Sequence, residues 1–325
     1  MRLVPSLFLA AGVLLPADSR PQAAHVSVDA CREPAVELRG PGGLLRGTLR
    51  CPDTDGPWPV VLLVAGAGPV DRDGNSAMQL EHANTLALLA EGLAARGIAT
   101  VRYDKRGVGE SAGAAVGDSV LRFTTYARDA AGWVQQLQAD QRFSSVTVVG
   151  HGEGALVGML AARAADADGF VSLEGQGRPG AEIMQAELGP RLPIELRADF
   201  RRVLATVAQG RVEADVPYPL LSLLRPSAQL YLTSWFRYDP PTELGRLTVP
   251  VLIVQGLEDT QATMRDAQLL NAGQPRADAI VIEGVDHSLR IASTGTRGHR
   301  GGARGPVADQ VLEGVAAFVA QVHRR

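Results

Sequence analysis

The residues best suited to chemistry stand at the ends of strand-like apolar runs. Val146–Val149 leads into a glycine-rich turn centred on Gly152, while two later runs lead to Asp259 and to His287. A carboxylate bound to one imidazole nitrogen fixes the tautomer and leaves the other nitrogen free to accept a proton. The carboxyl ends of parallel strands share one edge of a sheet. We therefore expect Asp259 and His287 to meet beside Gly152.

The turn Gly150-His151-Gly152-Glu153-Gly154 lies between a β-branched strand and a helical stretch. This is the context in which a G-x-S-x-G motif exposes a nucleophilic serine. Flanking glycines let strand and helix approach closely, and the central residue adopts a strained conformation that glycine accepts readily. Because Gly152 stands at the centre, the attacking oxygen of such a site is missing.

Other positions compete for the roles of nucleophile and acid. A literal G-x-S-x-G occurs around Ser111, but it neither leaves a strand directly nor opens a helix, so we expect Ser111 to shape a loop. Glu258, next to Asp259, and Glu174, at the end of an earlier strand, are alternatives for the acid.

A second glycine-rich turn, Gly66–Pro69, follows the first long apolar run. Backbone N–H groups there, with that of Glu153 at the start of the elbow helix, are candidate donors to a developing oxyanion. The adjacent stretch Asp71–Asn75 superficially has the composition of a calcium loop. It lacks the twelve-residue spacing and the terminal Glu, which favours an ordinary turn that caps a helix.

Short apolar runs alternate with helical stretches along the chain, which predicts a mainly parallel sheet with helices on both faces. The predicted strands are Ala35–Arg39, Leu44–Arg50, Val60–Ala65, Ile98–Tyr103, Val146–Val149, Phe170–Leu173, Pro250–Gln255 and Ala279–Ile282. The predicted helices are Ala77–Arg96, Tyr126–Asp140, Ala155–Ala165, Arg265–Asn271 and Val307–Val322.

Residues 181–239 interrupt this alternation and predict a helical cap, inserted after the sixth strand into a core formed by residues 25–180 and 240–325. Such a cap would cover the carboxyl ends of the strands, where ligands bind in open α/β folds. Its aromatic residues could line an acyl or aromatic pocket or pack the cap onto the core; they are Tyr231, Trp235, Phe236 and Tyr238.

Composition excludes some classes of function. The net charge is -3 and no basic stripe is present, so nucleic acid is not an expected partner. Almost all of the 32 basic residues are arginine, and Lys105 is the only lysine. The basic, glycine-rich stretch 296–305 is interpreted as a solvated loop, with contact to an anionic surface as the alternative.

The first 24 residues are typical of a signal peptide, because Arg2 precedes a short apolar run that is followed by small residues. An uncleaved anchor or an N-terminal helix is the alternative. We expect an exported protein, periplasmic or secreted, without a stable membrane span once the signal is cleaved. Cys31 and Cys51, the two cysteines, lie on a predicted hairpin in which Arg39 faces Leu44. They would then be nearly opposite, so they either pair as a disulfide or remain free thiols.

Together these segments resemble the α/β-hydrolase superfamily, in particular its bacterial serine aminopeptidase-like and esterase-like branch. The similarity runs from about residue 60 to residue 287 and includes the stretch Tyr103–Ser111. The resemblance implies Asp259 as acid, His287 as base, and Ala67 and Glu153 as oxyanion-hole donors, with Gly152 at the nucleophile position. It implies small ester, amide or peptide substrates and no cofactor or metal.

Four functional interpretations follow from Gly152. The chain is a serine-hydrolase scaffold that is inactive or severely slowed, or a non-catalytic binding protein that uses the capped pocket. Alternatively His287 activates water directly, or the glycine is a deliberate or accidental replacement of serine. Without a side-chain oxygen at position 152, no acyl-enzyme forms by the usual route.

Overall fold

The computed structural model describes residues 35–76, 82–292 and 305–324. The predicted signal segment 1–24, Cys31 and nearly all of the basic stretch 296–305 lie outside these residues. Eight strands form one sheet: β1 (Ala35–Gly40), β2 (Gly43–Arg50), β3 (Trp58–Val64), β4 (Ala99–Tyr103), β5 (Phe143–His151), β6 (Gly169–Leu173), β7 (Val251–Gly256) and β8 (Asp278–Ile282).

The strand order is β1-β2-β4-β3-β5-β6-β7-β8, with β1 and β2 antiparallel at one edge and parallel pairing from β4 through β8. Arg39 pairs with Leu44, the register predicted for the hairpin. The mainly parallel sheet is therefore confirmed. β5 is central, which places the elbow at its end near the middle of the sheet.

The described helices are α1 (Thr85–Ala94), α2 (Phe123–Gln138), α3 (Glu153–Ala164), α4 (Gly180–Leu188), α5 (Arg197–Ala208), α6 (Leu221–Leu224), α7 (Pro226–Phe236), α8 (Pro240–Gly245), α9 (Met264–Gly273) and α10 (Asp309–His323). Short 3₁₀ helices cover Gly109–Ala114, Gly189–Arg191, Ile194–Leu196 and Tyr218–Leu220. None of the helices within the described ranges has the length and apolarity needed to cross a membrane.

Apolar residues alternate between the two faces of β3, because successive strand side chains point to opposite sides. Leu62 packs in a core with α2, α3 and α9, whereas Leu63 packs in a second core with α1 and α10. Helices thus cover both faces of the sheet, as predicted.

The prediction that a helix begins at Ala77 is wrong in its starting point, since α1 begins at Thr85 and residues 82–84 are not helical. The side chain of Asn75 explains the late start. Its Nδ2 donates to Asn84 Oδ1 at 2.7 Å, and its Oδ1 accepts from Asn84 N at 2.9 Å. Asn84 has a positive φ of 51°, which no α-helix accommodates.

Helices α4 to α7 lie between β6 and β7, in the segment predicted as a cap. The aromatic residues of this segment pack on the core: the Phe123 ring at the start of α2 lies 5.9–6.2 Å from the rings of Tyr231, Trp235 and Tyr238. Ser234 Oγ also accepts the Phe123 N–H at 2.7 Å. These contacts support packing as their role. The division of the chain into core and cap stays a prediction.

Candidate active site

Gly152 occupies a sharp turn between β5 and α3, with φ +56° and ψ -122°. Its N–H donates to the carbonyl of Leu173 at 3.0 Å. The neighbouring glycines permit the close approach of strand and helix. A Cβ on Gly154 would lie 2.3 Å from the Val64 carbonyl oxygen, and one on Gly150 would lie 2.3 Å from the Gly154 carbonyl oxygen. The backbone therefore has the geometry of a nucleophile elbow without its hydroxyl.

The structure brings Asp259 and His287 together. His287 Nδ1 and Asp259 Oδ2 are 2.7 Å apart, and the Asp259 side chain is fully buried. The other carboxylate oxygen accepts the backbone N–H groups of Gln261 and Ala262 at 2.7 and 3.1 Å. These bonds fix the carboxylate, and its contact with Nδ1 makes Nε2 the nitrogen available for proton transfer.

The backbone at Gly152 faces that free nitrogen. A Cβ built on Gly152 would lie 3.4 Å from His287 Nε2 and 3.4 Å from Cε1, which are ordinary contact distances; apart from its two chain neighbours, no other described residue would meet it within 4 Å. A serine side chain at this position would therefore have room, although the φ of +56° would strain its backbone. Its hydroxyl would lie within hydrogen-bonding reach of the imidazole.

His151, in the elbow itself, supports the loop that carries His287. The two rings lie 4.6 Å apart, and His151 Nε2 is 2.8 Å from the His287 carbonyl oxygen. Burial, with a smaller contribution from His287, lowers the pKa of His151 to about 4. His151 is thus neutral at pH 7 and donates Nε2–H to that carbonyl. No sequence motif indicates this role of His151, because 136 positions separate the two residues.

Glu174, an alternative acid, lies behind Asp259 rather than beside His287, and it is 0% exposed. Its oxygens accept Gly256 N at 2.8 Å and Gln255 Nε2 at 2.6 Å, and its carboxyl also shares a hydrogen bond with Asp259. Burial and the charge of Asp259 raise the pKa of Glu174 well above its usual range.

Asp259 shows the opposite behaviour. Burial alone would raise its pKa, but the hydrogen bond and the charge of His287 bring it below the ordinary value. The two carboxyls therefore hold one proton between them at neutral pH, and it resides on Glu174. The remaining candidate, Glu258, is exposed. Asp259 is the carboxylate that this geometry offers to His287.

The predicted oxyanion donors lie on the loop after β3 and at the start of α3. Among the described residues, the Ala67 N–H makes no backbone hydrogen bond. Glu153 is the first residue of α3, where a backbone N–H has no acceptor within the helix. Lys105 Nζ donates to the carbonyl oxygen of Gly66, in the same loop as Ala67.

The side chain of Glu153 is buried at the junction of elbow and cap. It shares a hydrogen bond with Tyr231 of α7 and interacts electrostatically with Lys105. Burial raises the pKa of Glu153, although both neighbours act to lower it. The elbow motif indicates a role for the backbone of Glu153 but none for its side chain, because the contact with α7 is distant in sequence.

Two sequence alternatives have structural roles here. Ser111 is fully buried in the 3₁₀ helix Gly109–Ala114, and its Oγ accepts the N–H of Arg46 at 2.9 Å. Asp71 Oδ1 accepts the N–H groups of Asp73 and Asn75 at 2.9 and 2.8 Å, which closes a turn. Ser111 thus shapes a loop, and Asp71 caps a turn as expected.

A mainly parallel eight-stranded sheet with an elbow, an acid and a histidine at one edge defines the class of α/β-hydrolase-fold proteins. Comparison with known proteins agrees. The family described as Serine aminopeptidase, S33 matches residues 79–204. Esterase EstD of Thermotoga maritima is 27% identical over 275 residues, which are 83% of this chain and 63% of that protein.

Solved structures show the same fold. Est1E from Butyrivibrio proteoclasticus has a TM-score of 0.59 at 17% identity, covering 90% of this chain and 99% of that one. A malate-bound thermophilic esterase from Thermogutta terrifontis has a TM-score of 0.55 at 18% identity, covering 89% and 99%. The chain therefore has the α/β-hydrolase fold, and residues 79–204 are similar to the serine aminopeptidase family.

Proposed function

We propose that this chain is a serine-hydrolase-type protein for small carboxylic esters or for amides and peptides, and that Gly152 impairs its turnover. The observation that carries the proposal is the Asp259–His287 pair, whose free Nε2 lies 3.4 Å from where a Cβ at position 152 would stand. Asp259 as the proposed acid, His287 as the proposed base and two candidate oxyanion donors lie around position 152, where glycine supplies no hydroxyl.

The names of similar proteins support an ester as substrate. EstD of Thermotoga maritima is an esterase, but this chain spans only 63% of its length, so its activity is carried over as part of the proposal. A structure of Est1E contains ferulic acid. A small ester with a carboxylic acyl group therefore suits a first assay.

The expected mechanism with serine restored follows from the geometry. The serine hydroxyl would give its proton to His287 Nε2 and attack the ester carbonyl, while Asp259 stabilises the resulting imidazolium. The backbone N–H groups of Ala67 and Glu153 would bind the oxyanion. With Gly152 no covalent intermediate forms, and the only remaining contributions to the rate are substrate binding and polarisation of the ester carbonyl by the oxyanion donors.

Substitution of Gly152→Ser tests the proposal. We expect hydrolysis of p-nitrophenyl acetate to rise by a factor of about 10³ or more, because the other members of a triad contribute little without the nucleophile. A fluorophosphonate probe should label Gly152→Ser and leave the parent protein unlabelled. An aminoacyl p-nitroanilide, assayed in parallel, separates esterase from aminopeptidase activity.

Two controls make the result specific. Gly152→Ala imposes the same positive φ on a non-glycine residue, a cost of about 1–3 kcal/mol, without supplying a hydroxyl. His287→Ala in the Gly152→Ser background removes the base and should abolish the gain. The proposal fails if the parent protein is labelled and turns over esters at an ordinary rate, or if folded Gly152→Ser remains inert.

A non-catalytic ligand-binding role is the second candidate, favoured by the missing hydroxyl. It predicts that the parent protein binds small esters or carboxylates at the capped site without turning them over. Calorimetric titration with ferulate and malate checks this. Weak hydrolysis without a covalent intermediate that is lost in His287→Ala would instead support water activated by His287.

A further inference from the structure

Lys105 is the only lysine of the chain, and it is buried next to the candidate oxyanion loop. Its residue is 5% exposed, on the loop that follows β4. A buried ammonium group is unfavourable unless hydrogen bonds and opposite charge compensate for the lost water. The buried position of Lys105 therefore requires compensating contacts, which an exposed arginine of this chain would not need.

Groups from three elements act on the amine. Lys105 Nζ donates to the carbonyl oxygen of Gly66 and lies 5.7 Å from the centre of the Tyr126 ring of α2. Glu153 of α3 supplies the neighbouring negative charge, and Tyr231 of α7 shares a hydrogen bond with that carboxyl. Glu187 of α4 acts electrostatically on Glu153.

The hydrogen bond to Gly66 acts on the same peptide group that contains the Ala67 N–H. A peptide group is planar, so its C=O and N–H point in opposite directions and turn together. Fixing the carbonyl of Gly66 therefore fixes the direction of the Ala67 N–H. A cation at the carbonyl also polarises the peptide, which makes the N–H a stronger donor.

We propose that Lys105 is the positioning residue of the oxyanion loop, whose ammonium group holds the Gly66 carbonyl and so aims and polarises the Ala67 N–H. The inference rests on the proposed function for the role of that N–H. Lys105 touches no reacting atom. It also links the two donor segments, since it interacts electrostatically with the side chain of Glu153, whose backbone is the second candidate donor.

The ammonium form of Lys105 has a limited pH range. Burial lowers the pKa of Lys105 to about 8, although Glu153 acts in the opposite direction. The charged donor is therefore present at pH 7 and is lost as the pH rises through about 8. The groups that face it are Glu153, Tyr126 and Tyr231. Burial raises the pKa of both tyrosines, so they remain neutral in this range.

A first experiment needs no enzymatic activity. The ¹⁵N–¹H NMR signal of the Ala67 amide is followed from pH 6.5 to 9.5 in the parent protein and in Lys105→Arg, in which the charge persists at every pH. We expect the Ala67 signal to shift with a midpoint pH close to the pKa of Lys105. That pKa is measured separately by ¹³C reductive methylation, which labels Lys105 as the only side-chain amine. The signal should not titrate in Lys105→Arg.

An Ala67 signal that does not titrate with Lys105, or that moves equally in Lys105→Arg, would overturn the proposal. If Lys105→Arg does not fold, the parent protein still tests the proposal: the midpoint of the Ala67 amide shift must agree with the titration midpoint of Lys105, and disagreement overturns it. This test is independent of hydrolysis, so it stands even if Gly152→Ser proves inert and the proposed function fails.

A second experiment uses the Gly152→Ser background. Lys105→Met should lower kcat by about tenfold with little change in KM, since a poorly aimed oxyanion donor weakens transition-state binding more than substrate binding. Lys105→Arg should retain most of kcat and lose the decline in rate above about pH 8. An unchanged kcat in Lys105→Met, or the same alkaline decline in Lys105→Arg, contradicts the positioning role.

Discussion

Glu174 and Asp259 place two carboxyl groups in one buried volume, and only one of them is ionised at neutral pH. The pKa of Glu174 is raised by burial and by the charge of Asp259, whereas that of Asp259 is lowered by His287 despite its burial. In the unfolded chain both groups would ionise by about pH 5. The folded protein therefore binds one more proton than the unfolded chain above that pH, so this site reduces stability as the pH rises.

Glu174→Gln removes that proton uptake, and the free energy of unfolding should show it. Between pH 5.5 and 7.5 the variant should gain stability relative to the parent by about 1 kcal/mol per pH unit, because one proton difference disappears. Urea unfolding at several pH values measures the slope of the free energy of unfolding against pH. This slope is the test, because glutamine has one hydrogen-bond acceptor fewer and so also changes the stability at every pH. Glu258→Gln removes an exposed carboxyl beside Asp259, and an equal slope there would contradict the prediction.

At the residue level, the sequence predicts which polar side chains lie close together where each of them directly follows a strand. Asp259 and His287 were identifiable because each comes shortly after an apolar run, and they lie 2.7 Å apart in the fold. Glu174, His151 and Lys105 carry roles that depend on contacts across 39–136 positions of sequence. No local pattern encodes such contacts, because they arise only after β5, β6 and β7 are placed side by side.

At the scale of elements, a buried ion pair ties α2 to the loop that carries Lys105. Arg106 Nε and Nη2 donate to the two carboxylate oxygens of Asp129 at 2.9 and 2.5 Å, and Nη1 donates to the Ala114 carbonyl at 3.1 Å. The side chains are 1% and 5% exposed. Burial raises the pKa of Asp129 even beside this partner, which indicates a large desolvation penalty.

Removing one member of this pair should lower the free energy of unfolding by much more than the intact pair contributes to it. Asp129→Asn leaves the Arg106 guanidinium buried without an opposite charge, and we expect about 3 kcal/mol of lost unfolding free energy. Asp118→Asn, which removes the partner of half-exposed Arg225, should cost less than about 1 kcal/mol. Chemical unfolding of both variants measures the contrast, and equal losses would show that burial of the pair does not matter.

The elements themselves were largely predictable, because apolar runs in an α/β protein mark buried strands. Each of the eight predicted strands is found within a few residues of its expected bounds. The start of α1 was not predictable: residues 82–84 follow no helical geometry because Asn75, nine positions earlier than Asn84, holds that segment by side-chain bonds. Helical periodicity reports which residues face the core, and it does not report a competing side-chain acceptor.

At the scale of the whole molecule, strand order explains why residues distant in sequence form one site. β5, β6, β7 and β8 are consecutive neighbours in the sheet, so their carboxyl ends bring Gly152, Glu174, Asp259 and His287 together. β3 and β4 lie on the other side of β5 and contribute the loops of Ala67 and Lys105. The site is thus assembled from six parallel strands.

The antiparallel edge of the sheet is stabilised by a covalent bond next to it. Cys51, directly after β2, is 3% exposed and disulfide-bonded, while its predicted partner, Cys31, lies outside the described residues. The hairpin register predicted from the sequence, with Arg39 opposite Leu44, is the one observed in β1 and β2, so Cys31 stays the predicted partner of Cys51. Such a bond fits the oxidising compartment proposed from the N-terminal segment.

Reduction should therefore lower the stability of the whole molecule. A disulfide between Cys31 and Cys51 would restrict the unfolded chain by closing the loop between them. Its loss should remove about 2–4 kcal/mol from the free energy of unfolding. Guanidinium unfolding with and without reductant measures the change. Cys51→Ser should match the reduced parent and be insensitive to reductant, and Cys31→Ser should behave identically if it is the partner. If the stability of Cys31→Ser still fell on addition of reductant, the pairing would be contradicted, because Cys51 would be the only cysteine of that variant.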